Sequence, residues 1–422
     1  MLNLNSTYFI AAFMTSNLNR RKLLAASISV PLTAFFLSPA NSAGVTVADW
    51  PNTLRTARGQ TVYFNAWAGS ERINAYLQWA GGEVEKLFGV KLEHVKVSDT
   101  AEVVKRVRAE KQAGRNADGS VDAVWINGEN FLAMRRDGLL FGPFAEALPS
   151  FANVDTVGKP TTRIDFSQAV DGMEAPWGMA QLTFYADSKV VAQPPRSTTD
   201  WLAYAKANPG VMTYPKPPNF HGTTFLKQML LEAYAADERT AFYQPVKSEE
   251  FAKLTAPLWA TLDGLHPNLW RAGKQFPASN AVMRQMLSDG ELHINLTFNP
   301  NEAANEIAAK RLPASVVSWQ HAAGTVGNTH FLAIAYNARA KEGAQVLINF
   351  LMSPQAQARK ANIQFWGDPT VLAVDRLPAA EKALFTQSPA PGSVLQAAPA
   401  LAEPHASWVE ALEREWLKRY GQ

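Results

Sequence analysis

Thr61-Val-Tyr-Phe-Asn-Ala-Trp67 is an apolar run that ends in Ala68-Gly69-Ser70 and opens at once into an amphipathic segment. A strand, a small-residue turn and a helix in that order form the entry to an α/β domain, which displays its ligand site at the carboxyl ends of its strands. From Ser70 to Phe88 the apolar positions Ile73, Tyr76, Leu77, Ala80, Val84, Leu87 and Phe88 recur at helical spacing, with Gly81-Gly82 marking a break or cap. Val90 to Val97 reads as a second strand, and Asp99-Thr-Ala-Glu102 has capping-box spacing ahead of Val103, Val104 and Val107. After a polar loop, Val121-Asp-Ala-Val-Trp-Ile126 is a buried strand that delivers Asn127, Glu129 and Asn130. This βαβαβ order predicts a sheet with parallel strands.

Further along, Met173 to Met179 reads as a turn and Leu182 to Ala186 as extended, where the chain crosses into a second domain. There Val211 to Tyr214 reads as a strand, followed by a proline-rich turn and a helix carrying Phe225, Leu226, Met229 and Leu230. Glu291 to Phe298 alternates strictly, and Asn299-Pro300 marks the start of a helix over Asn301 to Lys310. Ala314 to Trp319 and His330 to Ala335 are extended, with a second crossing between them. The expected division is a first lobe of residues 44–184 with about 320–355. The second lobe takes residues 185–319 with part of 356–422, and ends in a helix from His405 to Tyr420.

The 422 residues exceed one usual core, and 47% of them are hydrophobic. Arg20, Arg21 and Lys22 precede the apolar stretch Leu23 to Leu37, broken by Pro31, and small residues follow at Ala40, Ser42 and Ala43. That order predicts an export signal over residues 1–43, cleaved near Ala43, and hence a periplasmic protein. Asn19-Arg-Arg-Lys-Leu-Leu24 is twin-arginine-like, with Sec export as the alternative, and Met14 would give a signal of conventional length. Without the three basic residues of the leader, 37 basic residues stand against 37 acidic ones, so charge offers no argument for a nucleic-acid partner. The absence of cysteine excludes thiolate chemistry, thiolate metal sites and a lipid-modified N-terminal cysteine.

Several segments together resemble one family. Val121 to Ile126 with Phe131 and Gly138-Leu-Leu140 is similar to its first-lobe strand and helix. Glu174-Ala-Pro-Trp-Gly178 with Phe184-Tyr-Ala-Asp187 is similar to its crossing strand, and Ala335 to Gln357, with its Ser353-Pro-Gln-Ala-Gln turn, to its most specific helix. These are the marks of bacterial extracellular solute-binding proteins of ABC importers, the two-lobed type that includes maltose, polyamine, thiamine and ferric-ion binders. Asp368-Pro-Thr-Val-Leu and Tyr214-Pro-Lys-Pro-Pro-Asn219 resemble the YnjB-like branch. The resemblance implies a type II periplasmic-binding-protein fold of mixed sheets flanked by helices, with a ligand cleft between the lobes. It also implies capture of a small solute by hinge closure, and an ABC permease and ATPase as partners of a monomer. Ferric binders of this fold use neighbouring tyrosines; with no adjacent pair here, iron is not expected as cargo.

A cleft of this kind needs aromatic faces for contact area and amides and hydroxyls for orientation. Trp67 and Ser70, then Trp125, Asn127 and Asn130, stand at strand ends of the first lobe. Asn219, His221 and Thr224 begin one helix of the second lobe, and Asn299 and Asn301 another, where free N–H groups suit a polar or anionic group. Trp177 and Trp366 sit at turns. Each has a structural alternative: tryptophans as core, asparagines as caps, His221 as a loop residue. Glu71 or Glu129 beside aromatic rings would suit an organic cation, and stacked tryptophan with amides would equally suit a sugar.

The competing class is a secreted hydrolase. The seven histidines are scattered, and neither His-Glu-x-x-His nor Gly-x-Ser-x-Gly nor a glycine-rich phosphate loop occurs. Carboxylate pairs assembled in space stay open. No catalytic residue, metal or cofactor is expected, and a structural or chaperone-like role lacks the large apolar or charged tract it would want.

Overall fold

A computed structural model describes residues 49–385, 390–395 and 397–421. The export signal expected over residues 1–43 lies outside them. Among the described residues no helix is long and apolar enough to cross a membrane.

Strand Thr61–Trp67 runs parallel to Lys91–Val97 on one side and to Ala123–Ile126 on the other. Their carboxyl ends therefore share one edge, where Ser70, Asp99 and Asn127 follow. The long strand Thr325–Ala335, buried throughout, lies antiparallel to Ala123–Ile126 with Phe331 opposite Ile126, which puts His330 beside the same edge. Its other flank pairs with Glu174–Gln181 and, toward its end, with Leu140–Phe141. A second, antiparallel sheet holds Val316–Trp319, Thr183–Asp187 and Asn295–Thr297 in that order.

Two large apolar cores divide the chain. The first gathers Phe64, Leu77, Val104, Ile126 and Trp177 with Ile334, Leu347, Trp366 and Leu372; the second gathers Leu182, Phe184, Trp201, Phe225 and Leu262 with Leu296, Val326 and Trp416. The switch from one to the other falls where Leu182 N donates to Val326 O at 2.8 Å. Burial at about 25 cal/mol per Å² of apolar surface makes each core the main source of its own stability.

Several local expectations need correction. Gly81-Gly82 does not interrupt helix Glu71–Phe88, which ends at Gly89 in the left-handed region with φ 69°. A Cβ on Gly81 would lie 3.2 Å from the Leu92 side chain, so this glycine admits the neighbouring strand. Met173 to Met179 is no turn: Glu174–Gln181 is a strand whose register slips opposite His330 and Phe331, which accommodates Pro176 and Gly178. Val211 to Tyr214 forms no ladder; single bonds from His293 N to Val211 O and from Trp270 N to Met212 O hold it. The strand in Glu291 to Phe298 shortens to Asn295–Thr297, and the following helix, expected over Asn301 to Lys310, spans Glu302–Ala308.

Candidate functional site

Between the two cores lies a cavity of about 680 Å³, walled by both. The first lobe brings the strand ends just described. The second brings the starts of helices Phe220–Glu232, Asn280–Ser288 and Glu302–Ala308, and the terminal helix Ser407–Tyr420 brings Glu413.

Nine of the twelve candidates line this cavity: Trp67, Ser70, Trp125, Asn127, Asn130, Asn219, His221, Asn299 and Trp366. The Trp67 indole folds back over Gly69, where a Cβ would come within 2.1 Å of the ring; only glycine allows that approach. Trp125 packs edge-on to Trp177 at 5.1 Å between ring centres and leans on Trp366 at 5.8 Å. Ser70 and Asn127 occupy the caps of helices Glu71–Phe88 and Gly128–Arg136 without a side-chain capping bond, which leaves their polar atoms for the cavity. Asn130 Nδ2 donates to Glu129 Oε1 at 3.1 Å and so orients that carboxyl. Two of the nine are committed to local structure: Asn219 Oδ1 accepts from His221 N, and Asn299 Oδ1 from Asn301 N, each at 3.0 Å. Burial pushes the His221 ring down to about 4, so it is a neutral group near pH 7.

Three candidates do not reach the cavity wall. Trp177 is wholly enclosed in the first core against Phe64, Tyr76 and Trp125, and its indole N–H meets no acceptor. Thr224 lies on the inward face of a helix whose residues Gly222 to Leu231 are all buried. Asn301 turns away to donate from Nδ2 to Gly367 O at 2.6 Å.

Of the charges of the site the sequence reading named one, Glu129, which lines the cavity, whereas Glu71 is exposed and lies outside the lining. Under Trp125 and Trp366, Lys360 is fully buried and bonds Asp368, which also accepts from His330 Nε2 at 2.9 and 3.0 Å. Burial opposes ionisation of Asp368, yet His330 and Lys360 hold it below the usual carboxylate range. Gly178 makes this possible, since a Cβ there would meet Asp368 Oδ2 at 2.2 Å and His330 at 2.3 Å. At the other wall Lys227 pairs with Glu403 at 2.6 Å, both buried, and lies 4.2 Å from the Phe166 ring centre. Near it burial pushes Glu129 and Glu413 up to about 7, with Lys227 pulling both down and Asp99 pushing both up. Burial, with Glu129 and Glu403 nearby, raises Asp165 well above its ordinary value. On the second lobe Arg284 bonds Glu302 at 3.2 Å, and Glu306 takes Arg311 at 2.8 Å.

One of these was visible in principle. Lys227 is a lone lysine in Phe225-Leu-Lys-Gln-Met-Leu-Leu231, and a cation in an otherwise apolar helix asks for a partner. Glu413 and Asp368 gave no comparable sign, because their neighbours arrive from distant parts of the chain.

The model of the bacterial extracellular solute-binding protein family matches residues 79–386. Protein YnjB of Escherichia coli (strain K12) is 47% identical over 374 residues, 89% of this chain and 94% of that protein. Among solved structures, the periplasmic binding protein AfuA of Actinobacillus pleuropneumoniae, with fructose-6-phosphate bound, superposes with a TM-score of 0.61 at 13% identity. That match covers 86% of this chain and 99% of the other. The spermidine/putrescine ABC transporter substrate-binding protein PotD of Streptococcus pneumoniae gives 0.56 at 12% identity, covering 86% and 100%. Apo ferric ion-binding protein A of Pasteurella haemolytica gives 0.57 at 14%, covering 86% and 98%. At such identities these neighbours establish the fold, the two-lobed type II periplasmic-binding-protein architecture. With a cavity walled by both lobes and a family match over most of its length, the chain belongs to the bacterial extracellular solute-binding proteins.

Proposed function

We propose that this protein captures a small organic solute in the cleft by closure of its lobes and passes it, unaltered, to an ABC permease and its ATPase. It would act as a monomer in the periplasm, after cleavage near Ala43 of a twin-arginine-like signal. The observation that carries this reading is the double wall of the cavity: strand ends of one core face helix starts of the other. A ligand touching both favours the closed form by its contacts there, and a permease that reads the closed form then knows the site is filled. The lobe limits follow the cores, with the switch near Leu182 and Val326, and the hinge is the antiparallel pair Glu174–Gln181 and Thr325–Ala335. Trp67, Trp125 and Trp366 supply contact area, and Ser70, Asn127 and Asn130 orient the solute, an organic cation or a sugar. The hydrolase alternative would use a carboxyl pair, and Glu129 with Glu413 is one that lines the cavity, so turnover in the screen below separates the two readings.

A thermal-shift screen of the mature protein against thiamine-like cations, polyamines, oligosaccharides and oxyanions tests the proposal. A solute at a hundred times its Kd stabilises the folded state by about 2.7 kcal/mol. The expected result is such a shift with no product formed on prolonged incubation, lost in Trp67→Ala or Trp125→Ala variants that still fold. Turnover of the stabilising compound, or normal binding by both variants, would overturn the reading.

A further inference from the structure

The cleft's charges do not balance locally, and that imbalance describes the guest. Arg284 is answered by Glu302 and Glu306, Lys227 by Glu403, and Lys360 by Asp368. Arg72 turns its guanidinium to the carbonyls of Gln364, Ile363 and Asn305 at 2.6, 3.2 and 3.0 Å. Around Glu129 and Glu413 the count is different. Both line the cavity, as do Asp99 and the exposed Lys96, and the cation that acts on both is Lys227, already paired with Glu403. Asp165 and Glu403 add two further carboxyls behind them. The dipole of helix Phe220–Glu232 offers no site for an outside anion, since its first turn already faces Glu413, which accepts from Thr223 Oγ1 at 2.7 Å.

A second, independent feature points the same way. Trp67, Trp125 and Trp366 line the same cavity, with Trp125 and Trp366 5.8 Å apart between ring centres. Ring faces attract a cation, and carboxylates accept N–H groups, so the wall asks for donors that carry positive charge.

Resting on the cleft reading above, we propose that the solute is a compact organic cation bearing hydrogen-bond donors, its charge held between Glu129 and Glu413 and its body against the tryptophan faces. Neutral polyols would leave the carboxyl group of charges unanswered, and anions would meet repulsion there. Because both carboxyls must be ionised to hold a cation, and burial places each near 7, uptake strengthens as pH rises through neutrality and releases protons.

The test is calorimetric titration of the whole mature protein with putrescine, agmatine and tryptamine as cations, maltose as a neutral polyol and fructose 6-phosphate as an anion, at about pH 8 and about pH 5.5. At least one cation is expected to bind, with affinity about tenfold or more weaker at the lower pH. Glu129→Gln and Glu413→Gln, near-isosteric changes, should each weaken binding about tenfold at pH 8 and remove most of the pH dependence. Binding of no cation at either pH overturns the proposal, as does cation binding indifferent to pH and to both glutamine variants. Maltose or fructose 6-phosphate binding alone, abolished by Trp67→Ala, overturns the cation class while leaving the cleft reading intact.

Discussion

Two buried lysines flank the cleft, Lys227 on its wall and Lys360 behind Trp366, and their surroundings differ in one respect. Lys360 and Asp368 form a closed account of charge: one cation, one anion, and His330 as a second donor to the same carboxylate. Lys227 faces Glu403 at 2.6 Å but also Glu129, Asp165 and Glu413, so one cation serves several acids. The first arrangement is complete without a guest. The second is not, and the same low dielectric that strengthens a buried pair makes a surplus of like charge expensive. A folded protein thus keeps structural charge and recognition charge on separate walls of one cavity.

Removing the lysine on the crowded side should have the larger effect. Lys227→Met strands Glu403 in a buried site among other acids, and removal of one partner of a buried pair costs about 3–5 kcal/mol. A loss near the upper end of that range is expected at pH 8 in a urea melt. The loss should shrink markedly by about pH 5.5, because burial already raises Glu403 and Asp165 and leads Glu129 and Glu413 to protonate early. A penalty that stays constant over this range would show that the acids near Lys227 do not share its charge.

Lys360→Met should cost less, about 3 kcal/mol, since Asp368 retains His330 Nε2 as a donor at 2.9 Å. Its penalty should also persist at pH 5.5, because Asp368 is held below the usual carboxylate range and stays ionised there. If the two lysine variants lose equal stability with equal pH dependence, the contrast between the walls is broken.

How far the residues announced this arrangement depends on distance along the chain. The first lobe was legible because buried parallel strands read as unbroken apolar runs, and Thr61–Trp67 and Ala123–Ile126 keep that pattern with their caps just beyond. Ser353-Pro354 was equally plain: Ser353 Oγ accepts from Ala356 N, and proline takes a first-turn position. Strand Glu174–Gln181 was hidden by Pro176 and Gly178, whose meaning depends on a register slip made by a partner strand some 150 residues away. For the site, the aromatic residues at strand ends could be named, since strand ends sit at the cleft in any α/β sheet. Trp177, named as a turn residue, lies instead inside strand Glu174–Gln181 and points into the core against Trp125. The charges could not be paired, because Lys227 meets Glu403 and Glu413 meets Glu129 only after tertiary folding.

The smallest effect gives the most direct view of the surplus. A carboxyl whose folded pKa stands above its ordinary 4.5 binds more protons folded than unfolded, so its contribution to stability is fullest below about pH 4.5 and declines as pH rises to about 7. Glu413 and Glu129 both follow this course, whereas Asp368, with its depressed pKa, contributes above pH 3.8 and loses that contribution only on further acidification. Glu413→Gln keeps an acceptor for Thr223 Oγ1 and removes the charge, so at pH 5 it should melt like the unsubstituted protein and at pH 7.5 slightly above it. The difference between those two conditions should be on the order of 1 kcal/mol, since Glu413 is partly exposed and solvent screens it. Removing this charge also relieves Glu129, so the Glu129→Gln and Glu413→Gln effects should be less than additive in the double variant. Full additivity would mean that the two carboxyls titrate independently, and the acid wall would then be two separate sites rather than one.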